Sequence, residues 1–469
     1  MRRKPFTLPF ILPIASFACA IFVGTVLLSL DISAAGEPVD VIDALLIATS
    51  SVCVTGLASV DPSLVFNRFG HSVMLALVQL GGLGITTYST LIFYLWSRRV
   101  SLTDRLAVGE VLLNDSSFHL GSFLQRVIVV IAGLEILGAV ALYAMEPERI
   151  GAFNAVFLSV SAFCNAGFAL WPDNLIQWKS HLGVNLVIML LIVCGGIGFA
   201  VLDEVIRIIR NRVAHVFSVT RRKTLSDFLQ GKRTEARKLS FYSRLVLTTT
   251  LFLILAGTVL LLLPEYFAND DDASSLTQLV LPSLFQSVTA RTAGFATMDI
   301  ARMSDASLLT LIMLMVIGGS PGSCAGGLKT TTVRILFGFI TAQLRGRTQV
   351  VVSGRAMDRA TLNKMFVLLT FTTLTILCAT MALTYTEGGA NPHGKTPFQT
   401  LDLLFESVSA FATVGLSTNL TPKLSSAGKV IDCVLMFIGR LGPIWFISTL
   451  QQLQTDPRYR LPYEELPVG

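Results

Sequence analysis

Four short glycine segments hold the residues of this sequence that could do chemistry: 50-SSVCVTGLAS-59, 161-SAFCNAGFAL-170, 289-TARTAGFAT-297 and 409-SAFATVGLST-418. Aligned on Gly56, Gly167, Gly294 and Gly415 they recur at near-equal intervals, and three share Ser-Val or Ser-Ala at matching offsets. The third is one residue shorter upstream. Few side chains in them are charged, so the chemistry falls to the backbone. A ring of four such segments presents carbonyl oxygens inward, and carbonyl oxygens can replace the hydration shell of a potassium ion. Glycine is required because carbonyls aimed one way force dihedrals that a Cβ disfavours. The expected ion-binding residues are Val54, Thr55 and Gly56; Asn165, Ala166 and Gly167; Thr292, Ala293 and Gly294; and Thr413, Val414 and Gly415.

The elements that position these segments follow from hydropathy. The chain has 469 residues, of which 52% are hydrophobic and only 14% charged, with a mean hydropathy of +0.67. Soluble chains carry about a quarter charged residues. Continuous apolar runs such as 186-LVIMLLIVCGGIGFAVL-202 exclude the alternating pattern of an outer-membrane barrel. Segments long enough to span lie near 8–30, 71–96, 124–145, 182–206, 242–263, 305–342, 365–385 and 427–451. Within each successive pair sits a shorter apolar stretch, near 41–50, 152–163, 276–290 and 398–411. About a dozen residues rising about 1.5 Å each cross only about half of a ~30 Å hydrocarbon core, so these read as re-entrant half-helices. Each unit is span, half-helix, glycine segment, span. Two crossings return the chain to its starting side, so all four units are parallel and can close around an axis normal to the membrane.

The expected architecture is an all-α polytopic membrane protein of four parallel M1-P-M2 repeats, with eight spanning helices and four pore half-helices around a central pore. Its divisions are repeat 1 over 1–100, a linker over 101–120, repeat 2 over 121–210 and a basic linker over 211–240. Repeat 3 follows over 241–344, a linker over 345–364, repeat 4 over 365–452 and a tail over 453–469. The start, MRRK and an apolar run to Leu30, resembles a signal peptide but lacks a small-residue cleavage site, so a retained first span is expected. Lys and Arg crowd the stretches after the second, fourth and sixth spans, whereas Asp31 to Asp40 and Glu265 to Asp272 carry acids only. The basic linkers and both termini are therefore expected in the cytoplasm, with the half-helices entering from outside. That asymmetry also accounts for the net charge of +6 without a nucleic-acid partner. The seven cysteines stand singly and read as small buried hydrophobes.

Glycines echo again in the spans after the glycine segments: 81-GGLG-84, 195-GGIG-198, 318-GGSPG-322 and 439-GRLG-442. Close helix packing and pore lining are both open readings. The third echo opens the run 318–332, too rich in glycine and proline for a helix. Non-helical backbone at mid-membrane must find protein or water partners, so a loop beneath the ring is expected to gate it. The gate residues are Gly318, Gly319, Ser320, Pro321, Gly322, Ser323, Gly326, Gly327 and Lys329, with Arg440 from the last span. A phosphate-binding loop is rejected, because Leu328 separates Gly327 from Lys329 and no strand precedes it. Arg440 facing the pore would repel cations, with an ion pair to Glu135 as the structural alternative. Arg291 is expected to turn away from the axis and brace the third segment through Glu406. Glu135 reads as a structural acid.

The four glycine segments, the 318–332 run and Gly439-Arg-Leu-Gly-Pro443 resemble the Trk/Ktr/HKT potassium-transporter superfamily over nearly the whole chain. Eight spans without an additional N-terminal pair look most like its Ktr membrane subunit, KtrB. The resemblance implies potassium uptake, sodium-dependent in some members, and a homodimer with one pore per subunit. It implies a cytoplasmic, KtrA-like ring of nucleotide-binding regulatory subunits, with no organic cofactor on this chain. In plant members a serine at the first filter glycine accompanies sodium transport; Gly56 stands there in this chain and favours potassium. Ala166 and Ala293, against Thr55 and Val414, make the ring uneven, which leaves a sodium or poorly selective monovalent-cation transporter as the alternative. A solute transporter would need inverted halves and midplane polar groups. An enzyme would need a catalytic cluster, whereas the five histidines are scattered.

Overall fold

The computed structural model describes residues 8–83, 120–220, 239–268, 276–388 and 398–441. Four units of like construction follow one another. The first comprises α1 (Leu8–Ser29), α2 (Val41–Cys53) and α3 (Arg68–Gly82); the second α4 (Leu120–Met145), α5 (Ala152–Cys164), α6 (Leu182–Gly196) and α7 (Phe199–Thr220). The third comprises α8 (Phe241–Ala268), α9 (Leu276–Thr289), α10 (Asp305–Val316) and α11 (Thr330–Leu344); the fourth α12 (Arg359–Gly388), α13 (Thr400–Ala412) and α14 (Ser426–Leu441). Side-chain caps start several of these helices. Asp40 accepts from the Ile42 amide before α2, Asn67 from Phe69 and Gly70 before α3, and Ser304 from Ser307 before α10. The short helices α2, α5 and α13 all stop on a left-handed residue.

Among the described residues, stretches of α4, α8 and α12 are long and apolar enough to cross a membrane. Large apolar side chains such as Val129, Leu137, Phe252 and Met381 point outward from them, a surface that lipid satisfies and water does not. Inside each unit the short helix packs on its own long ones, α1 on α2, α4 on α5, α8 on α9 and α12 on α13. Between units the packing is cyclic. The helix after each glycine segment lies against the next unit's short helix: α3 on α5, α6 on α9, α10 on α13, and α14 back on α2. The chain thus closes on itself, and the C-terminal ends of the short helices converge on the centre.

One expectation needs correction. The fourth span is not continuous: α6 and α7 meet at 114°. Gly198, at φ 92°, makes the corner, and a Cβ there would sit 2.8 Å from the Pro321 carbonyl oxygen. The break is therefore shaped by the loop of the third unit, which the sequence of the second unit alone does not show. The linker 345–364 also carries structure. An antiparallel pair, β1 (Val351–Val352) with β2 (Arg355–Ala356), packs Val350 and Val352 on Leu245 and Ala342, and α12 starts already at Arg359. Gly84 and the far part of the 71–96 span, Gly442 and the far part of the last span, nearly all of the linker 101–120, most of 211–240 and the tail 453–469 lie outside the described residues.

Candidate ion pore

The ring is built from backbone hand. Val54, Asn165, Thr292 and Thr413 take φ of 56°, 61°, 79° and 52°; two residues on, Gly56, Gly167, Gly294 and Gly415 take 102°, 71°, 78° and 92°. The residue between has negative φ in every unit. Alternating hand turns successive carbonyls to one side of the strand, and only glycine takes the second positive position without strain. The four segments then meet in order. A Cβ on Gly56 would lie 2.6 Å from the Ala166 carbonyl oxygen and one on Gly167 2.7 Å from that of Ala293. One on Gly294 would meet the Val414 carbonyl and one on Gly415 that of Thr55. The carbonyls of Thr55, Ala166, Ala293 and Val414 are thus brought together around one axis. The half-helix C-termini, with their partial negative charge, point at the same place.

All twelve residues expected to bind the ion lie in this ring. The sequence reading missed what holds it. The Gly56 amide donates to Ser50 Oγ at 2.9 Å and the Gly415 amide to Ser409 Oγ at 3.1 Å, while Ser161 Oγ donates to the Phe168 carbonyl at 2.8 Å. Matching serines at matching offsets were the available signal. In the third, shorter segment Thr289 stands in that place, and its hydroxyl has no partner among the described residues. Asn174 had no such signal, since it follows the repeat: its amide nitrogen donates to the Gly167 carbonyl at 3.3 Å and its oxygen accepts from the Ala296 amide, tying the second segment to the third.

The proposed brace between Arg291 and Glu406 is not formed. Glu406 accepts from Ser417 Oγ at 2.8 Å and from Thr421 Oγ1, so it serves its own segment. Arg291 is buried, with Nε unpartnered among the described residues. Its segment is the short one, and the two side chains stand on successive units.

Above the ring a cavity of about 350 Å³ takes lining from all four units. Asp61, Asp173 and Asp299, one from each of the first three units, stand on its wall. They too went unread. Such a mouth concentrates cations.

Below the ring the residues 317–329 leave the helix, as expected from their glycines. The loop is held by every other unit. Ser320 N donates to Gly196 O at 3.0 Å, Cys324 N to Gly195 O at 3.2 Å, and Phe199 N to Gly322 O at 3.0 Å. Lys329 Nζ caps the loop's own Ala325 and Gly326 carbonyls, and Ser320 Oγ meets Thr330 Oγ1 at 3.1 Å. Gly318 lies against the Gly326 carbonyl, and Gly326 against Thr413 and Ala412 of the fourth segment. Gly319, Pro321, Ser323 and Gly327 complete the turn, with the Pro321 carbonyl accepting from Tyr242 Oη at 3.1 Å. Arg440 donates to the Cys324 carbonyl and, at 2.6 Å, to the Gly81 carbonyl. It is a staple from the fourth unit across the loop to the first, and it makes no ion pair with Glu135, which accepts from Gln79 at 3.2 Å instead. In the second glycine set, Gly81, Gly195 and Gly439 pack against the carbonyls of Val52, Phe163 and Phe411 in the last turns of the half-helices, whereas Gly318 opens the loop.

A family model described as "TrkH: Cation transport protein" matches residues 11–452. The chain is 35% identical to Ktr system potassium uptake protein B of Bacillus subtilis, over 97% of this chain and 95% of that protein. It is 31% identical to the potassium/sodium uptake protein NtpJ of Enterococcus hirae, over 97% and 96%. The crystal structure of the potassium transporter TrkH from Vibrio parahaemolyticus superposes with a TM-score of 0.66 at 17% identity, covering 97% of this chain and 87% of that one.

Proposed function

The chain belongs to the TrkH family of cation transport proteins, a transport family and not an enzyme family, and from that premise we propose that it takes up potassium across the cell membrane through the glycine ring. The observation that carries the reading is the fourfold repeat of one backbone conformation, with each glycine facing the carbonyl of the next unit. Carbonyls fixed at that spacing substitute for water around a monovalent cation, and four half-helix ends stabilise its charge. The names of the relatives, potassium uptake proteins, agree with the cargo. The loop 317–329, clamped by Arg440, is the gate: an ion leaving the ring inward meets it first, and moving it requires release of the Arg440 staple.

The wider assembly follows the same line. Two relatives are named as parts of a Ktr system, which supports a complex of more than one component. Its form would be a homodimer on a cytoplasmic nucleotide-binding ring, with basic linkers and termini on the cytoplasmic side and the divisions of the chain set out above. A second reading, transport of sodium beside potassium, is favoured by the uneven ring (Thr55 and Val414 against Ala166 and Ala293) and by the printed name of the Enterococcus relative.

Rubidium-86 uptake into potassium-loaded proteoliposomes, competed by potassium, sodium and lithium, tests both. Potassium is expected to block uptake where lithium does not, and Gly56→Ser to weaken that discrimination. Equal block by sodium in the wild type would select the second reading. Absence of cation flux, with or without a regulatory subunit, would sink both.

A further inference from the structure

The fourth unit carries two buried carboxylates, Glu406 behind its glycine segment and Asp432 on α14. Asp432, on α14, is fully buried, and among the described residues neither of its carboxylate oxygens has a hydrogen-bond partner. The charges that bear on it are both negative: Glu406 on the neighbouring α13 and Glu387 at the end of α12. The cations of this region are committed elsewhere. Lys429, one turn before Asp432, pairs with Asp43 on α2, and Arg440, two turns on, holds the Cys324 and Gly81 carbonyls. Glu387 is occupied by the Ser425 amide at 3.0 Å and the Ser425 hydroxyl at 2.6 Å. Glu406 is fully buried and, among the described residues, accepts from the Ser417 and Thr421 hydroxyls alone.

Packing does not explain the acids. Alignment on the second glycine set puts Met74, Ile188 and Leu311 in the place of Asp432, all fully buried. Alignment of the half-helices puts Ile47, Leu158 and Gln286 in the place of Glu406. Three units do without a carboxylate at either position, and the fourth has one at both. A buried charge is costly unless it is paired or coordinated. The charged groups that bear on Asp432 are carboxylates, whose oxygens are the donors a hard cation takes. With each group giving one oxygen, two carboxylates and two hydroxyls fall short of the roughly six to eight oxygens that a calcium ion takes.

We propose that Asp432 and Glu406 form a binding site for a small monovalent cation, sodium, off the pore axis in the fourth unit. Asp432 supplies the carboxylate otherwise without a partner. Glu406 supplies the second, and the hydroxyls of Ser417 and Thr421 can turn to present lone pairs. Ser417 lies within the fourth glycine segment, two residues after Gly415, so occupancy of the site orders the back of one quarter of the ring.

The test is sodium-22 binding to the full chain purified in detergent, at fixed pH and with potassium in excess so that the ring is occupied. Wild type is expected to bind sodium that potassium does not displace. Asp432→Asn and Asp432→Leu, the latter restoring the apolar residue of the other units, are expected to weaken that binding by at least about tenfold. Rubidium-86 binding by the same proteins, measured without potassium, reports whether the ring is intact, and it is expected to persist in both variants. Sodium binding unchanged in folded variants, or no sodium binding in the wild type together with stability that depends on pH alone, would overturn the proposal; in the latter case a proton neutralises the pair. Loss of rubidium binding in every sample with sodium binding still governed by Asp432 would count against the ring and leave this site standing.

Discussion

The ring and the layer beneath it are built from the same repeat and have diverged to different degrees. In the ring, four segments with different side chains adopt one alternation of hand. In the layer below, four glycine echoes that look alike in sequence do three different things. Gly81 and Gly439 let a helix lie against a carbonyl, Gly195 does the same just ahead of a 114° corner, and Gly318 opens a loop. A site that surrounds an ion must present it with equivalent oxygens, which holds the backbone uniform. A gate needs one element that moves against three that do not, which rewards asymmetry.

That contrast predicts that ring substitutions are interchangeable in effect and lower-layer substitutions are not. Any of the four ring glycines changed to alanine places a methyl into a neighbouring unit's carbonyl, on top of roughly 1–2 kcal/mol for left-handed backbone. Discrimination between potassium and lithium is expected to fall in Gly167→Ala and Gly294→Ala as in Gly56→Ser; a variant that keeps wild-type discrimination would remove that glycine from the ring. Below, Gly439→Ala drives a Cβ into the Phe411 carbonyl and is expected to cost roughly 1–3 kcal/mol of stability, read as a lowered melting temperature. Gly322→Ala meets no atom within 4 Å and is strained only by its φ of 71°. It is expected to cost no more than the roughly 1–2 kcal/mol of left-handed backbone, read as a smaller fall in melting temperature than that of Gly439→Ala, and to alter flux through the loop.

The proposed gate gives the next effect. Arg440→Gln removes charge-assisted bonds worth about 1.5–3 kcal/mol. If the staple holds the loop shut, rubidium flux without any regulatory subunit is expected to rise about tenfold or more. Unchanged or reduced flux would return Arg440 to a purely structural role.

How much of this was readable divides along the same line. Local backbone demands were legible: the half-helix lengths, the glycines and the helix-breaking run at 318–332 each follow from neighbouring residues. The four-unit plan followed from their recurrence. Contacts between units were not legible. Arg291 and Glu406 were joined on charge alone, whereas Glu406 is satisfied by Ser417 and Thr421 of its own segment. Arg440 was read as a bare charge because its acceptors are the carbonyls of Cys324 and Gly81, which carry no side-chain signature. Gly198 bends a helix for a partner more than a hundred residues away. The serines behind the ring were visible as a pattern but lacked an assigned partner until the segments were folded.

Those serines offer a finer test of uniformity. Ser50→Ala and Ser409→Ala each strip the acceptor from a ring amide, a loss of about 1 kcal/mol and so about fivefold in whatever equilibrium keeps the carbonyls aligned. Discrimination between potassium and sodium should fall by about that factor in both. Ser161→Ala, which frees a carbonyl and not an amide, should do less. Equal losses in all three would mean that the hydroxyls serve packing alone.

The smallest expected effect lies at the mouth, where the symmetry is incomplete. Asp61, Asp173 and Asp299 come from three units only, and two of them have local work: Asp61 caps a helical turn through the Ser63 amide, and Asp299 pairs with Arg302 at 3.1 Å. No such side-chain partner is recorded for Asp173 among the described residues, so Asp173→Asn tests the charge with the least disturbance of structure. One charge facing water acts through a screened potential with a reach of about 10 Å at 0.1 M salt. Rubidium uptake at low ionic strength and subsaturating rubidium is therefore expected to drop no more than about threefold, about 0.6 kcal/mol, and the difference from wild type should vanish at high salt. A loss that persists at high salt would instead make Asp173 part of the ring's scaffold beside Asn174, and the boundary between the uniform and the irregular parts of the molecule would move outward by one layer.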